Sequence, residues 1–223
     1  MQNSGIEILL QWHTFERLLI GLSITLKIAL LSILLSWFCG IFLGVIRTFN
    51  RVSIQLIARI YLELFRFVPI LVWLYVLYYL IAANFNINLN AQFVAVLVFT
   101  LWGTAEMSDI IRGALIAVPK HQTESAVAIG FNKKQLYYYI LLPQALKNAI
   151  PAMINLSVRM IMTTSLLFTL GITEVIKVGQ QIIESASLSN PMASFCIYGI
   201  IFIFYFLICY PLSVLSRRMI RRL

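Results

Sequence analysis

Long apolar runs alternate with short polar stretches along this chain. A helix that crosses a bilayer needs about 20 mostly apolar residues. Five segments meet that requirement: residues 19–46, 60–83, 91–116, 149–172 and 192–215. The second is the least uniform, because Glu63 and Arg66 stand near its start and only residues 69–83 run uninterrupted. Lys27 falls early in the first, where a long side chain reaches outward to the interface. The pattern predicts an all-α integral membrane protein with five transmembrane helices, forming one domain over residues 1–223. No internal repeat is visible, so the inverted halves of many secondary transporters are not supported.

One polar stretch breaks the pattern in an organised way. After Val118, Pro119 marks a helix boundary, and proline suits the first turn of a new helix. A short helix then runs to Gly130, the residue that most readily adopts the left-handed conformation past a helix end. Asn132 with Gln135 three residues on resembles a capping box that opens a second helix. Its Leu136, Tyr137, Ile140 and Leu141 share one face, Lys133 and Lys134 stay wet, and Pro143 kinks or ends it. Residues 117–145 thus read as a helix, a glycine turn and a helix. Such an elbow suits docking to a partner; the plainer reading is an interfacial helix lying on lipid headgroups.

Composition agrees with the membrane reading: 61% of residues are hydrophobic and 11% charged, against roughly 25% charged in an average soluble domain. The net charge of +9 does not point to nucleic acid, since the basic residues are spread over separate connections and form no stripe. Their placement sets a direction instead. Arg47, Arg51, Arg59 and Arg66 follow the first run; Arg112, Lys120, Lys133, Lys134 and Lys147 surround the third connection; Arg217, Arg218, Arg221 and Arg222 end the chain. The connection "NFNINLN" has no charge, and the fourth holds only Glu174, Lys177 and Glu184. The N-terminus is therefore expected outside and the C-terminus in the cytoplasm. Cys39, Cys196 and Cys209 lie in apolar runs without paired spacing, and His13 and His121 have no companions at ligand spacing, so neither disulfides nor a metal site are expected. The N-terminus lacks a basic start and a cleavage site, so the first helix is expected to be retained. Tyr78, Tyr79 and the cluster at 137–139 read as interfacial anchors, and the basic tail as an orientation signal that also suits anionic lipid.

Glu124-Ser125-Ala126, then Gly130, then Ile140-x-Leu142-Pro143 resembles the EAA signature of bacterial ABC importer permeases: E-A-A, three residues, G, nine residues, I-x-L-P. Only Ser125 departs from it. "SDIIRGALIAVPKHQTESA", "LPQALKNAIPAMIN" and "YLELFRFVPILV" further resemble stretches of the polar amino acid uptake branch, the permeases for histidine, glutamate, glutamine and arginine. The resemblance implies an ABC type I importer permease fold in the bacterial inner membrane and a second permease subunit, identical or a sister. It also implies two cytoplasmic ABC ATPases and a periplasmic or lipid-anchored solute-binding protein. Glu124, Ser125, Ala126, Gly130 and Pro143 would then couple the permease to the ATPase. ATP and Mg would be bound on that other chain, since no G-x-x-x-x-G-K-[ST] loop is present here. This chain is expected not to be an enzyme and to carry no cofactor of its own.

Ionisable residues inside a membrane are functional candidates by default. Glu106 and Arg159 each lie about midway along a predicted span. One reading is a structural ion pair; the other is a translocation cavity in which Arg159 holds a substrate carboxylate through its fork and Glu106 an ammonium. The branch usually has tyrosine at the position of Glu106, and Lys-Asp where this chain has Met162-Thr163. Thr163 lies four residues from Arg159 and so on its face. Thr163, Thr164 and Ser165 are candidate ligand contacts or simply packing hydroxyls. Glu63 and Arg66, three residues apart, are expected to pair in a structural or gating role. The leading expectation is a permease subunit of an ATP-driven importer for a polar amino acid. The alternatives are a self-contained secondary carrier or channel for a small polar solute, and a membrane-embedded assembly subunit.

Overall fold

The computed structural model describes residues 12–49, 51–80, 89–186 and 192–221. The chain before Trp12, the last residues of the second apolar run, most of the "NFNINLN" connection and Arg222 lie outside the described residues.

Every regular element among the described residues is helical. They are α1 (Trp12–Ile46), α2 (Val52–Phe67), α3 (Ile70–Tyr75), α4 (Ala91–Ile116), α5 (Lys120–Ala128), α6 (Lys133–Leu136), α7 (Leu142–Thr163), α8 (Val175–Ala186) and α9 (Ala193–Ile220). α3 widens into a π-helical turn over Val76–Leu80, a second π-helical turn over Tyr137–Leu141 joins α6 to α7, and a tight 3-10 turn over Thr164–Leu170 continues α7. α1, α4, α9 and the continuous run Lys133–Leu170 are each long and apolar enough to cross a membrane. α2 with the helical run to Leu80 meets the same test as a broken pair, which makes four spans, or five with that pair.

The second span departs from expectation. Its helix begins at Val52, and Val68 is extended (φ −89°, ψ 124°) before Pro69, because a residue preceding proline is pushed out of the helical region. α2 is also amphipathic: Ala58, Leu62 and Phe65 are buried while Val52, Leu56, Ile57, Ile60, Leu64 and Phe67 are exposed. The fourth span differs as well. Pro143 does not end a helix but sits in the first turn of α7. The preceding π turn, in which the Leu142 N–H donates to the Tyr137 carbonyl, absorbs the proline without a break.

The chain forms two compact units. The first comprises Leu71–Val98, Val158–Pro211 and the chain up to Leu31. Its core joins Leu18 to Val175, Val178, Ile182, Ile197 and Ile201. Gly21 admits the α8 backbone, since a Cβ there would lie 3.0 Å from the Val175 Cα. Glu174, fully buried, caps α8: its carboxylate accepts from the Ile176 N–H at 3.0 Å and the Lys177 N–H at 2.9 Å. The Thr25 hydroxyl donates to the same carboxylate at 3.5 Å and accepts from the Val175 N–H at 3.2 Å. Burial pushes this carboxyl up to about 7, against the opposing pull of those donors.

The second unit comprises Ser32–Ile70, Phe99–Ser157 and the chain from Leu212. Gly40 and Gly44, one turn apart on α1, meet Met107 and Ile111, one turn apart on α4. A Cβ on either would fall within 2.4 Å of the Met107 Cβ or 2.7 Å of the Ile111 Cβ. This is close small-residue helix packing, the usual substitute in membranes for a hydrophobic driving force. The Trp37 indole N–H donates to the Ser157 hydroxyl at 3.2 Å, and the Ser36 hydroxyl to the Thr100 carbonyl at 3.2 Å.

Candidate functional site

The elbow belongs wholly to the second unit, and its bend is set by local chemistry. Gly130 has φ 88°. The Gly130 N–H donates to the Val127 carbonyl at 3.0 Å and the Phe131 N–H to the Ala126 carbonyl at 3.0 Å, the paired bonds of a Schellman helix end. Two residues later the Asn132 side chain accepts from the Gln135 N–H while the Gln135 side chain accepts from the Asn132 N–H, both at 2.9 Å. One helix is thus closed and the next opened within six residues, by groups that satisfy each other.

The elbow is held on one side and open on the other. Leu136 is buried, Tyr137, Ile140 and Leu141 are half-buried, and Lys133 and Lys134 are exposed. The Tyr137 hydroxyl lies 2.9 Å from the Thr48 hydroxyl, and its ring packs 5.5 Å from Phe49, just past α1. On α5, by contrast, only Ala126 is buried. Glu124 and Ser125 are exposed, and so are the apolar Val127 (59%) and Ile129 (72%). An exposed helix with apolar positions, mounted on a fixed bend, suits contact with another chain or with the lipid interface.

A second feature of this unit is an ion-pair network. Asp109 of α4 receives Arg47 at 2.6 Å and Arg66 of α2, and Arg47 also donates to the Ser108 hydroxyl at 3.0 Å. Arg66 lies 3.5 Å from Glu106, one turn before Asp109 on α4. Glu63 pairs with Arg59 at 2.8 Å. The expected Glu63–Arg66 pair is therefore replaced. Arg59 stands four residues before Glu63 on the same exposed face, and the Arg66 fork reaches two carboxylates on α4 instead. Asp109 escaped the sequence reading; its spacing of three from Glu106, which puts both acids on one face of α4, is the signal that finds it.

The remaining candidates lie in the first unit. Arg159 is exposed, and the Thr163 hydroxyl donates to the Arg159 carbonyl at 2.8 Å, so the two share a face. Thr164 is fully buried; its hydroxyl donates to the Ile161 carbonyl at 2.6 Å and lies 3.4 Å from the Tyr205 hydroxyl. Ser165 is half-buried. The 3-10 turn that begins at Thr164 separates the run, leaving Thr163 beside Arg159 and turning Thr164 into packing.

The family of binding-protein-dependent transport system inner membrane components matches residues 36–223. The chain belongs to this family. It is a permease of the inner membrane, and in such transporters the ATPase is a separate subunit. The permease is 34% identical over 172 residues to the L-cystine transport system permease protein TcyL of Bacillus subtilis (strain 168), covering 74% of this chain and 72% of that protein. It is 28% identical over 213 residues to the glutamine transport system permease protein GlnP of Escherichia coli (strain K12), covering 95% of each. The crystal structure of an amino acid ABC transporter with histidines matches the permease with a TM-score of 0.83 at 25% identity, over 98% of this chain and 100% of that one. The elbow sequence therefore sits in a permease whose relatives share its length and fold, and the ABC type I importer fold expected of it is the one observed.

Proposed function

We propose that this permease imports a polar amino acid, delivered by a solute-binding protein and driven by ATP hydrolysed on a partner ABC ATPase. The exposed α5 carries the reading: residues 117–145 act as the coupling segment, with Glu124, Ser125 and Ala126 in the ATPase groove and Gly130 fixing the bend. Its support is the contrast between a well-anchored second arm and a first arm whose one buried residue is Ala126. On this reading ATP and Mg are handled by the partner, this chain is not an enzyme, and it works as a dimer with a copy or a sister permease. The distribution of Lys and Arg supports an external N-terminus and a cytoplasmic C-terminus.

Within the membrane, Arg159 is the anchor for the solute's carboxylate, with Thr163 beside it. An exposed guanidinium midway along a spanning helix needs a polar surrounding, and its fork matches a carboxylate. Glu106 serves the ion-pair network through Arg66, and Thr164 serves packing. Uptake of labelled amino acids by proteoliposomes holding the permease, its ATPase and its binding protein tests the reading. Arg159→Ala is expected to lower uptake at least tenfold while ATPase assembly persists, in line with the loss of a charged hydrogen-bonded anchor. Uptake without the ATPase, or unchanged uptake in Arg159→Ala, overturns it.

A further inference from the structure

The second unit contains a cavity of ≈ 370 Å³ between α2, α4 and the end of α1. Four guanidiniums, of Arg47, Arg59, Arg66 and Arg112, line it against two carboxylates, of Glu63 and Asp109. Glu106 behind Arg66 still leaves the cluster positive. The charges are graded in depth. Arg47 and Asp109 form the floor, at 13% and 31% side-chain exposure, and Arg59 and Glu63 form the rim, at 78% and 49%. Arg112 is half-buried, lines the cavity, and has no carboxylate partner among the described residues. The other three guanidiniums are matched by Glu63, Glu106 and Asp109, so Arg112 is the excess charge, and a half-buried cation without a carboxylate leaves a place for an anion.

The flank of the cavity says which anion. Along α2, the cavity-lining Gln55, Arg59, Glu63 and Arg66 recur at intervals of four and three, so they occupy one strip of the helix. The exposed apolar residues Leu56, Ile60, Leu64 and Phe67 recur at the same intervals on the adjoining strip. A cationic pocket bordered by an exposed apolar stripe matches an amphiphile whose head is anionic and whose tails are hydrocarbon. A free anion has no use for the stripe, and an uncharged lipid none for the arginines.

We propose that this cavity binds the phosphate headgroup of an anionic phospholipid, with Arg112 gripping the phosphate, Arg59 assisting from the rim and the acyl chains lying along the apolar stripe of α2. Arginine forks suit phosphate oxygens, and basic pockets beside membrane helices hold acidic headgroups. The site depends on the membrane placement of the chain and not on the identity of the transported solute.

The test is lipid retention by the full-length permease in micelles doped with equal phosphatidylglycerol and phosphatidylcholine, counted by native mass spectrometry. Phosphatidylglycerol is expected to be retained about tenfold over phosphatidylcholine, and Arg112→Gln to remove that preference, as loss of a charged hydrogen bond implies. An excess of inorganic phosphate is expected to leave retention unchanged. Arg59→Gln on the exposed rim gives a second variant whose folding is not at stake and is expected to weaken the preference less. Equal retention of the two lipids overturns the proposal, as does a preference that survives Arg112→Gln. Displacement by inorganic phosphate also overturns it, by assigning the cavity to a soluble anion, and so does a second permease copy that covers α2 and excludes lipid.

Discussion

Glu174 offers a quantitative test of the first unit. Its carboxyl is fully buried and pushed from an ordinary value of 4.5 up to about 7, chiefly by burial. The folded state therefore holds the proton more tightly than the unfolded chain. Below about pH 4.5 both states are protonated and stability does not depend on this group. Between there and pH 7 the unfolded chain ionises first, so stability falls as pH rises; above pH 7 the loss is complete. At about 1.4 kcal/mol per pH unit of displacement, that loss is about 3 kcal/mol. The expected result is a melting midpoint, measured in detergent, that declines by several degrees between pH 5 and 7.5 and then levels. Glu174→Gln keeps an acceptor for α8 and cannot ionise. It sacrifices about 1 kcal/mol of hydrogen bonding, so it is expected to flatten the profile and to exceed the native protein above pH 7.5. A flat native profile refutes the reasoning, and so does a Gln variant whose profile runs parallel to it.

Two further outcomes follow from glycines that serve different ends. At Gly130 an added Cβ meets nothing within 4 Å, but φ is 88°, so the penalty there is conformational, about 1–2 kcal/mol for most residues. Gly130→Asn is expected to retain most uptake and Gly130→Leu to lose it with normal membrane levels; equal activity of the two, by transport assay, removes the bend from the mechanism. At Gly44 the reverse holds: a Cβ would lie 2.7 Å from the Ile111 Cβ and 2.9 Å from the Ser108 carbonyl oxygen. Gly44→Ala is expected to cost about 1–3 kcal/mol by overpacking, seen as a lower melting midpoint. Gly113→Ala on α4, with nothing within 4 Å, is expected to be neutral or slightly stabilising.

What the sequence disclosed divides by the range of the interactions concerned. The spans emerged from hydropathy alone, because bilayer thickness fixes the length of a run and each backbone must bond within its own helix. The elbow emerged because Gly130, Asn132 and Gln135 act on groups within five residues of themselves. The break at Val68-Pro69 was similarly local, but the apolar count smoothed over it: α2 contributes an exposed apolar stripe that hydropathy cannot tell from a spanning face.

The contacts that escaped reading join residues far apart in the chain. Asp109 draws in Arg47 and Arg66 from separations of 62 and 43 residues. Glu174 looked like an ordinary loop acid until Thr25, 149 residues away, closed over it. Gly40 and Gly44 showed no sign of the α4 side chains that need their space. This division bears on how a coupled permease works. An elbow whose bend is secured by its own caps moves as a unit, because no distant contact must break for it to keep its shape. Ion pairs between elements are different: Arg66 serves Glu106 and Asp109 together, so any displacement of α2 against α4 must rearrange both contacts at once. The elements that keep their own shape are thus legible from neighbours along the chain, and the contacts that hold one element to another only from neighbours in space.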